Sequence, residues 1–311
     1  MYPAGNGSLG PDASLGGRAI GQDFSGTDGW SMYHGSEVPG FPQHPHRGFE
    51  TVTYVRQGLV DHADSLGATA RFGQGDTQWM TAGAGVQHAE MFPLTRTDAP
   101  NPLELFQIWL NLPAADKMVE PYFTMLWSHE TPRRIEKDDA GRAAEITVIA
   151  GVIADETPAA SPPESWASKV EADLAIWHVR LEPDARWCLP AATGPATERV
   201  LYAFEGSTVQ IGEHEPVPAG TGAHIRADVD ITLVAGPEGI DCMLLQGRPI
   251  AEPVARYGPF VMNTDDEIRE AYSDYQATEF GGWPWPSPAP DHGAEAGRFA
   301  IHADGRREDV S

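Results

Sequence analysis

The sequence is short of three things, and each shortage excludes a class. Cysteine is nearly absent: Cys188 and Cys242 are the only two in 311 residues. Neither belongs to a C-x-x-C pair, so a disulfide-stapled scaffold is excluded, and two buried free thiols in a reducing compartment are expected because both sit in apolar stretches. Positive charge is scarce: 21 basic residues stand against 45 acidic ones, a formal net charge of −24. Such a surface repels phosphate backbones and anionic lipid headgroups, which sets aside direct nucleic-acid binding and attachment to a membrane. Long apolar runs are also missing, none approaching the roughly 18 residues of a membrane span. The opening MYPAGNGSLGPDASLGG has neither the basic nor the apolar region of a secretory leader. A soluble, cytoplasmic protein is expected.

What is there favours strands. The 33 glycines and 27 prolines suit turns and short extended runs rather than long helices, and the length fits one large domain or two ordinary ones. Residues 1–30 read as a loose opening segment. FETVTYVRQG and LELFQIWLNLP alternate β-branched and aromatic residues as strands do, and AADKM (114–118) suits one helical turn. The Pro/Ser/Ala-rich 154–168 reads as a linker or long loop, after which LAIWHVRLEP, RVLYAFEGSTVQIG and DITLVAGPEGIDCMLLQG resume the strand pattern. One helix is marked, in NTDDEIREAYSDYQ: Asn263 or Thr264 is the N-cap, acids fill the first turn, and Ile268, Ala271, Tyr272 and Tyr275 recur at helical spacing. The last 30 residues predict an extended tail. Its WPWPSPAP run is expected to pack on its own protein or stay loose, the alternative being a proline-rich ligand for a partner domain. ETVTYVRQG (50–58) and ERVLYAFEG (198–206) share E-x-V-x-Y-x-x-x-G, which predicts two β-domains of similar design.

Histidine numbers eleven, and two of them flank Pro45 in HPHRGFE. Residues two apart on a strand share a face, so His44 and His46 point the same way. GAGVQHAEM places His88 and Glu90 at the same spacing. Two such pairs on facing strands would supply four ligands for a divalent transition metal and leave positions open for water or substrate. His34 and His62 are isolated and are expected on the surface or beside the ligands. Glu50 has the parity of the HPH pair, but four residues of strand span about 13 Å, too far for one ion unless Gly48 allows a bulge. Spacing leaves Glu50 undecided.

HPHRGFETVTY, GDTQWMTAGAGVQHAEM, FQIWLNLPAADKM and GPFVMNT, in that order over roughly residues 30–275, resemble the pirin family within the cupin superfamily. The resemblance implies an all-β fold of two tandem cupin (jelly-roll-like) antiparallel β-barrels with a short C-terminal helix. The expected division is a metal-carrying N-terminal barrel over 1–150, a linker over 151–170, a C-terminal barrel without ligands over 171–260, and a helix with a Pro-rich tail over 261–311. It implies His44, His46, His88 and Glu90 as ligands of one metal ion, iron(II) first, with nickel, cobalt, manganese, copper or zinc as alternatives. Glu50 then moves to a supporting role, orienting a ligand imidazole or anchoring its strand. In the second barrel, aligning Glu198 with Glu50 puts Ala192 and Gly194 where His44 and His46 stand, and neither can ligate. The charged stretch 128–145 and the Trp-Pro tail depart from shorter members, and the former is expected as a loop near the barrel mouth.

The activity implied is that of a quercetin (flavonol) 2,3-dioxygenase, with a small aromatic substrate, O2, and Glu90 as ligand and general base for the 3-hydroxyl. Phe49, Trp79, Met80, Met91 and Phe106 are the candidate pocket walls for a flat substrate. The alternatives are a metal- or redox-sensing regulator acting through a protein partner, or a cupin enzyme for another small molecule.

Overall fold

The structure, a computed structural model, describes residues 39–96, 99, 101–194 and 196–310. The opening segment and His34 lie outside the described residues. The chain forms two compact units, one running through Ser128 and resuming at Glu252, the other His129–Ala251.

The first unit contains β1 (Gly40–His46), β2 (Phe49–Gln57), β3 (Leu59–Asp64), β4 (Thr69–Gly73), β5 (Thr77–Thr81), β6 (Val86–Met91), β7 (Glu104–Asn111) and β8 (Tyr122–Leu126). The second contains β9 (Arg133–Lys137), β10 (Ala143–Ala150), β11 (Ala175–Leu181), β12 (Arg186–Leu189), β13 (Glu198–Gly206), β14 (Thr208–Ile211), β15 (Val217–Pro218), β16 (Thr221–Ile225), β17 (Ile231–Ala235) and β18 (Ile240–Gly247). The chain then returns to the first unit with β19 (Ala255–Tyr257), β20 (Phe260–Met262), the helix α1 (Asp265–Thr278), β21 (Arg298–Ile301) and β22 (Arg307–Val310).

Each unit is built on a pair of packed antiparallel sheets that do not close into a barrel, and the first adds the two-stranded sheet of β19 and β20. In the first, the orders are β1-β6-β3-β4-β21-β22 and β7-β2-β5-β8; in the second, β16-β13-β18-β11-β10-β9 and β12-β17-β14-β15. Val60, Ala70 and Phe72 of one sheet meet Val55, Phe123 and Met125 of the other. The second core is larger, with Val148, Trp177, Trp187, Leu189, Leu233 and Leu244; each fully buried aliphatic side chain there contributes about 1.5–3 kcal/mol.

The helix forms as its sequence predicts. Thr264 Oγ1 accepts from Glu267 N at 3.2 Å and Glu267 Oε2 accepts from Thr264 N at 2.7 Å, a reciprocal capping box. Ile268 and Ala271 bury against Phe260 and Met262. Among the described residues no helix is long and apolar enough to cross a membrane.

Other expectations shift. The resemblance puts the first boundary at residue 150, and the charged 128–145 predicts a loop. The structure has a hairpin there, β9 with β10, in the sheet of the second unit. Arg133–Lys137 alternates exposed and half-buried positions, so its charges sit on a solvated face and masked the strand pattern. The irregular 151–170 lies within the second unit and joins β10 to β11. Cys188 is exposed while Cys242 is buried, because β12 alternates faces. The tail is built into the first unit: β21 pairs with β4, Gln43 N donates to Pro288 O at 2.7 Å, and Trp285 Nε1 donates to Asp64 O at 2.8 Å.

Under that tail lies a buried ion pair. Arg71 donates through Nε and Nη2 to the two oxygens of Asp61, both at 2.6 Å, and through Nη1 to Ala296 O. His292 N also reaches Asp61. Removing one partner strands a buried charge. Arg71→Ala is therefore expected to cost about 3–5 kcal/mol in urea unfolding, while Arg71→Met with Asp61→Leu costs clearly less. Equal losses in the two proteins would contradict this.

Candidate metal centre

Antiparallel pairing of β1 with β6 sets His44 directly opposite His88, and β3 sets His62 opposite Glu90 and Asp64 opposite His88. The two i, i+2 pairs anticipated from spacing thus meet on neighbouring strands. The imidazoles of His44, His46 and His88 converge, with ring centroids 4.4–4.9 Å apart and one ring nitrogen of each within 4.8 Å of the others.

The corner after β1 holds this geometry. Gly48 has φ +84, and a Cβ there would lie 2.1 Å from Val261 O. The Lys117 ammonium donates to Gly48 O, Asn111 Oδ1 and Val261 O at 2.8–2.9 Å, which ties the corner to β7 and β20. Arg47 donates to Ala84 O and Asp274 Oδ2 and lies 4.5 Å over the Phe280 ring, so α1 and its C-terminal turn brace the same corner.

His44 and His46 have their tautomers set. Nδ1 of His44 lies 2.8 Å from Pro42 O and Nδ1 of His46 lies 3.2 Å from Pro259 O. A carbonyl can only accept, so each Nδ1 carries the proton and each Nε2 keeps a free lone pair. His88 is fully buried, and neither of its ring nitrogens has a hydrogen-bond partner among the described residues. Such an orphan is costly unless another group completes it. Burial lowers the basicity of all three, His46 to about 3, with neighbouring imidazoles pushing the same way. Three neutral imidazoles with lone pairs to give are a donor set that fits a divalent transition metal.

Glu90 shares the His88 face of β6 but stands outside the three-imidazole cluster. The Thr53 hydroxyl lies 3.2 Å from its Oε1, and Gln107 Nε2 donates to its Oε2 at 3.2 Å. Burial raises its pKa, with the charge of His62 and these two hydrogen bonds opposing. His62 is fully buried beside them, with Nε2 3.2 Å from Asp64 Oδ2 and its ring stacked on Phe123.

Glu50 faces the other way. Thr53 reaches Glu90, so Glu50, three residues earlier on the same regular strand, projects from the opposite face of β2. Its Oε1 accepts from Trp79 Nε1 at 3.2 Å and Thr81 Oγ1 at 2.7 Å. Of its two expected roles, anchoring the strand is the one that these hydrogen bonds serve. The same period-two argument sorts the pocket candidates. Phe49 and Met80 lie on the site face, Phe49 with its ring 5.1 Å from that of His46. Trp79, Met91 and Phe106 project from the opposite faces of their strands. Gln107 and Trp109, which are not among the residues the sequence marks, share one face of β7. Trp109 is 48% exposed, packs on Phe49 at 4.3 Å and meets the His46 ring edge at 5.7 Å. The exposed aromatic of Q-x-W, two residues on from Gln107, was the available signal.

The chain matches the family model described as Pirin over residues 19–110 and the Pirin C-terminal cupin domain over 176–281. A Pseudomonas aeruginosa protein named "Putative quercetin 2,3-dioxygenase" is 36% identical over 78% of this chain and 79% of its own length. Pirin from Homo sapiens is 33% identical, with 80% of each chain covered. A crystal structure described as quercetin 2,3-dioxygenase from Acinetobacter baumannii superposes with a TM-score of 0.70 at 33% identity, covering 80% of this chain and 81% of that one.

Two measurements test the centre. His88→Ala is expected to leave the purified protein with under about a tenth of the wild-type metal content by elemental analysis; full occupancy would sink the assignment. The metal-free protein should lose stability as pH falls from 6.5 toward about 3, because the unfolded chain takes up protons on His46 that the folded chain refuses. Chemical unfolding across that window checks it, and His46→Gln should flatten part of the slope.

Proposed function

The chain belongs to the pirin family, and on that premise we propose that it is a metal-dependent dioxygenase that opens flavonols of the quercetin type with O2. The metal would be held by His44, His46 and His88 with Glu90 as the fourth donor, iron(II) being the first choice. The observation that carries the proposal is the imidazole cluster whose fully buried member, His88, has no hydrogen-bond partner among the described residues. The names of the Pseudomonas and Acinetobacter relatives support the substrate class.

Bound there, a transition metal supplies Lewis-acid polarisation of a substrate oxygen and a path for electrons to O2. The remaining work falls to side chains. Glu90, made more basic by burial, takes the proton of the flavonol 3-hydroxyl onto a carboxylate oxygen. Thr53 and Gln107 aim that carboxylate. Trp109 and Phe49, packed together beside His46, offer an aromatic wall against which a flat ring can stack, and Trp109 is the part of it that solvent reaches. The buried surroundings of Met80 and Phe123 keep water from the reacting atoms.

Anaerobic loading with iron(II), nickel, cobalt, manganese or copper, followed by quercetin and oxygen, tests the proposal. Loss of the flavonol absorbance with release of carbon monoxide is the expected result. No turnover with any metal, together with a tight partner in pulldowns, points instead to a regulator. Glu90→Gln should lower kcat by roughly 10²–10⁴-fold. Trp109→Ala should raise KM about tenfold with a smaller change in kcat, which is the signature of lost substrate binding.

A further inference from the structure

Gln87 stands between Val86 and His88 on β6, opposite Pro45, the residue that separates His44 from His46. By the period of the strand its side chain faces away from the imidazoles, onto the back of the β1–β6 pair. Glutamine is mostly an exposed residue, yet Gln87 is fully buried. A carboxamide has two N–H donors and two lone pairs, and here all four are used. Nε2 donates to Glu279 O at 2.6 Å and to Gly282 O at 3.2 Å. Oε1 accepts from Gln43 Nε2 at 2.7 Å and from the Tyr275 hydroxyl at 3.1 Å. Its backbone N donates to Ser65 Oγ at 3.0 Å and its carbonyl accepts from Ser65 N at 2.8 Å. One side chain thus joins the strand of His88, the residue before His44 and the end of α1.

The turn it grips is strained. Glu279 and Phe280 end α1 with φ +50 and +48, two consecutive non-glycine residues in the left-handed region. Such backbone persists only where its surroundings fix it. Gln87 takes the carbonyls of Glu279 and Gly282. The Phe280 ring sits on bare backbone immediately before β6, where a Cβ on Gly85 would lie 2.6 Å from Phe280 Cγ. Tyr275 and Phe260 flank the same ring, with centroids 5.3 and 5.9 Å away. Further along the tail, Pro288 O accepts from Gln43 N at 2.7 Å. The residue before His44 is therefore held twice, by its side chain through Gln87 and by its backbone through the tail.

We propose that Gln87 is a positioning residue that latches the Glu279–Gly281 turn to the ligand-bearing strands, so that docking of the turn and metal occupancy stabilise each other. With the latch closed, β1 and β6 keep the register that puts His44 opposite His88, and the three ring nitrogens stay together. With the latch open, the turn relaxes out of the left-handed region, Gln43 and Gln87 lose their partners in α1 and the tail, and the strand pair loosens. By linkage, the factor by which an open latch weakens metal binding is the factor by which metal suppresses opening. The inference rests on the metal centre and owes nothing to the flavonol chemistry.

The test uses the full chain, stripped of metal and titrated with cobalt(II), whose visible bands report the geometry of its ligands. Cobalt affinity is read against a competing chelator, and hydrogen exchange of residues 279–288 is followed with and without cobalt. In wild type, cobalt is expected to slow exchange there about tenfold. Gln87→Leu should weaken cobalt binding by about the same factor, shift its visible bands and abolish the slowing. Arg298→Ala is the control. Arg298 ties the tail to Asp76, just before β5, so this variant should unfold more easily yet keep the wild-type cobalt affinity and spectrum. A Gln87 that served only the stability of the fold would make the two variants alike. If Gln87→Leu does not fold, Tyr275→Phe decides, because it takes one hydroxyl from the latch; a loss of about threefold in cobalt affinity is expected. Cobalt bound by wild type, with unchanged affinity and spectrum in Gln87→Leu (or in Tyr275→Phe where that variant decides), overturns the latch and leaves the centre standing. A wild type that binds no cobalt overturns the centre and the latch together.

Discussion

Everything around the first unit's centre answers one constraint: three imidazoles converge, two of them buried, and the innermost, His88, has nothing to bond to among the described residues. Protonating any of them would bring a charge into a site where burial and the neighbouring rings oppose it. The cluster is therefore held as a set of lone pairs. Carbonyls of Pro42 and Pro259 fix two tautomers, the β1–β6 register brings the third ring across, and Lys117, Arg47 and α1 pin the corner that aims His46. The tail closes the opposite face of the same sheet over the Asp61–Arg71 pair. Much of the first unit is thus rigid support for one small group of atoms.

The two units show how little of a fold a function occupies. Both are sandwiches of six- and four-stranded sheets, and both carry the same broken register at corresponding strands. The difference sits in a handful of positions at one end of each unit. At the positions matched by that register break, His46, Thr51 and Trp109 of the first unit correspond to Gly194, Arg199 and Gln246 of the second. The strands supply placement, and the side chains at that end supply chemistry.

Much of this was legible in the chain. The helix was marked by Thr264, three acids and the spacing of Ile268 and Ala271, all local features. The two i, i+2 pairs were visible because period-two alternation puts His44 with His46 and His88 with Glu90 wherever the strands end up. Glu50 shows where that reasoning stops. Its parity agrees with the histidines only if the strand is continuous, and the bend at Arg47 and Gly48 ends β1 and begins β2 on a different sheet. Trp79, Met91 and Phe106 had the right chemistry but project from the opposite faces of their strands, which composition does not report. The hairpin of β9 and β10 was hidden because both faces of Arg133–Lys137 carry charge or solvent.

By itself, then, the sequence determined the all-β class, the capped helix, the two i, i+2 pairs and the lack of a matching histidine pair in the second unit, because each depends on spacings of a few residues along one element. Tertiary structure alone decided that His44 meets His88, that Thr53 and Gln107 hold Glu90, and that Trp109 rather than Trp79 stands beside the centre. Those facts depend on which strands pair and in what register, and register is set by the summed burial of whole sheets rather than by any local run of residues.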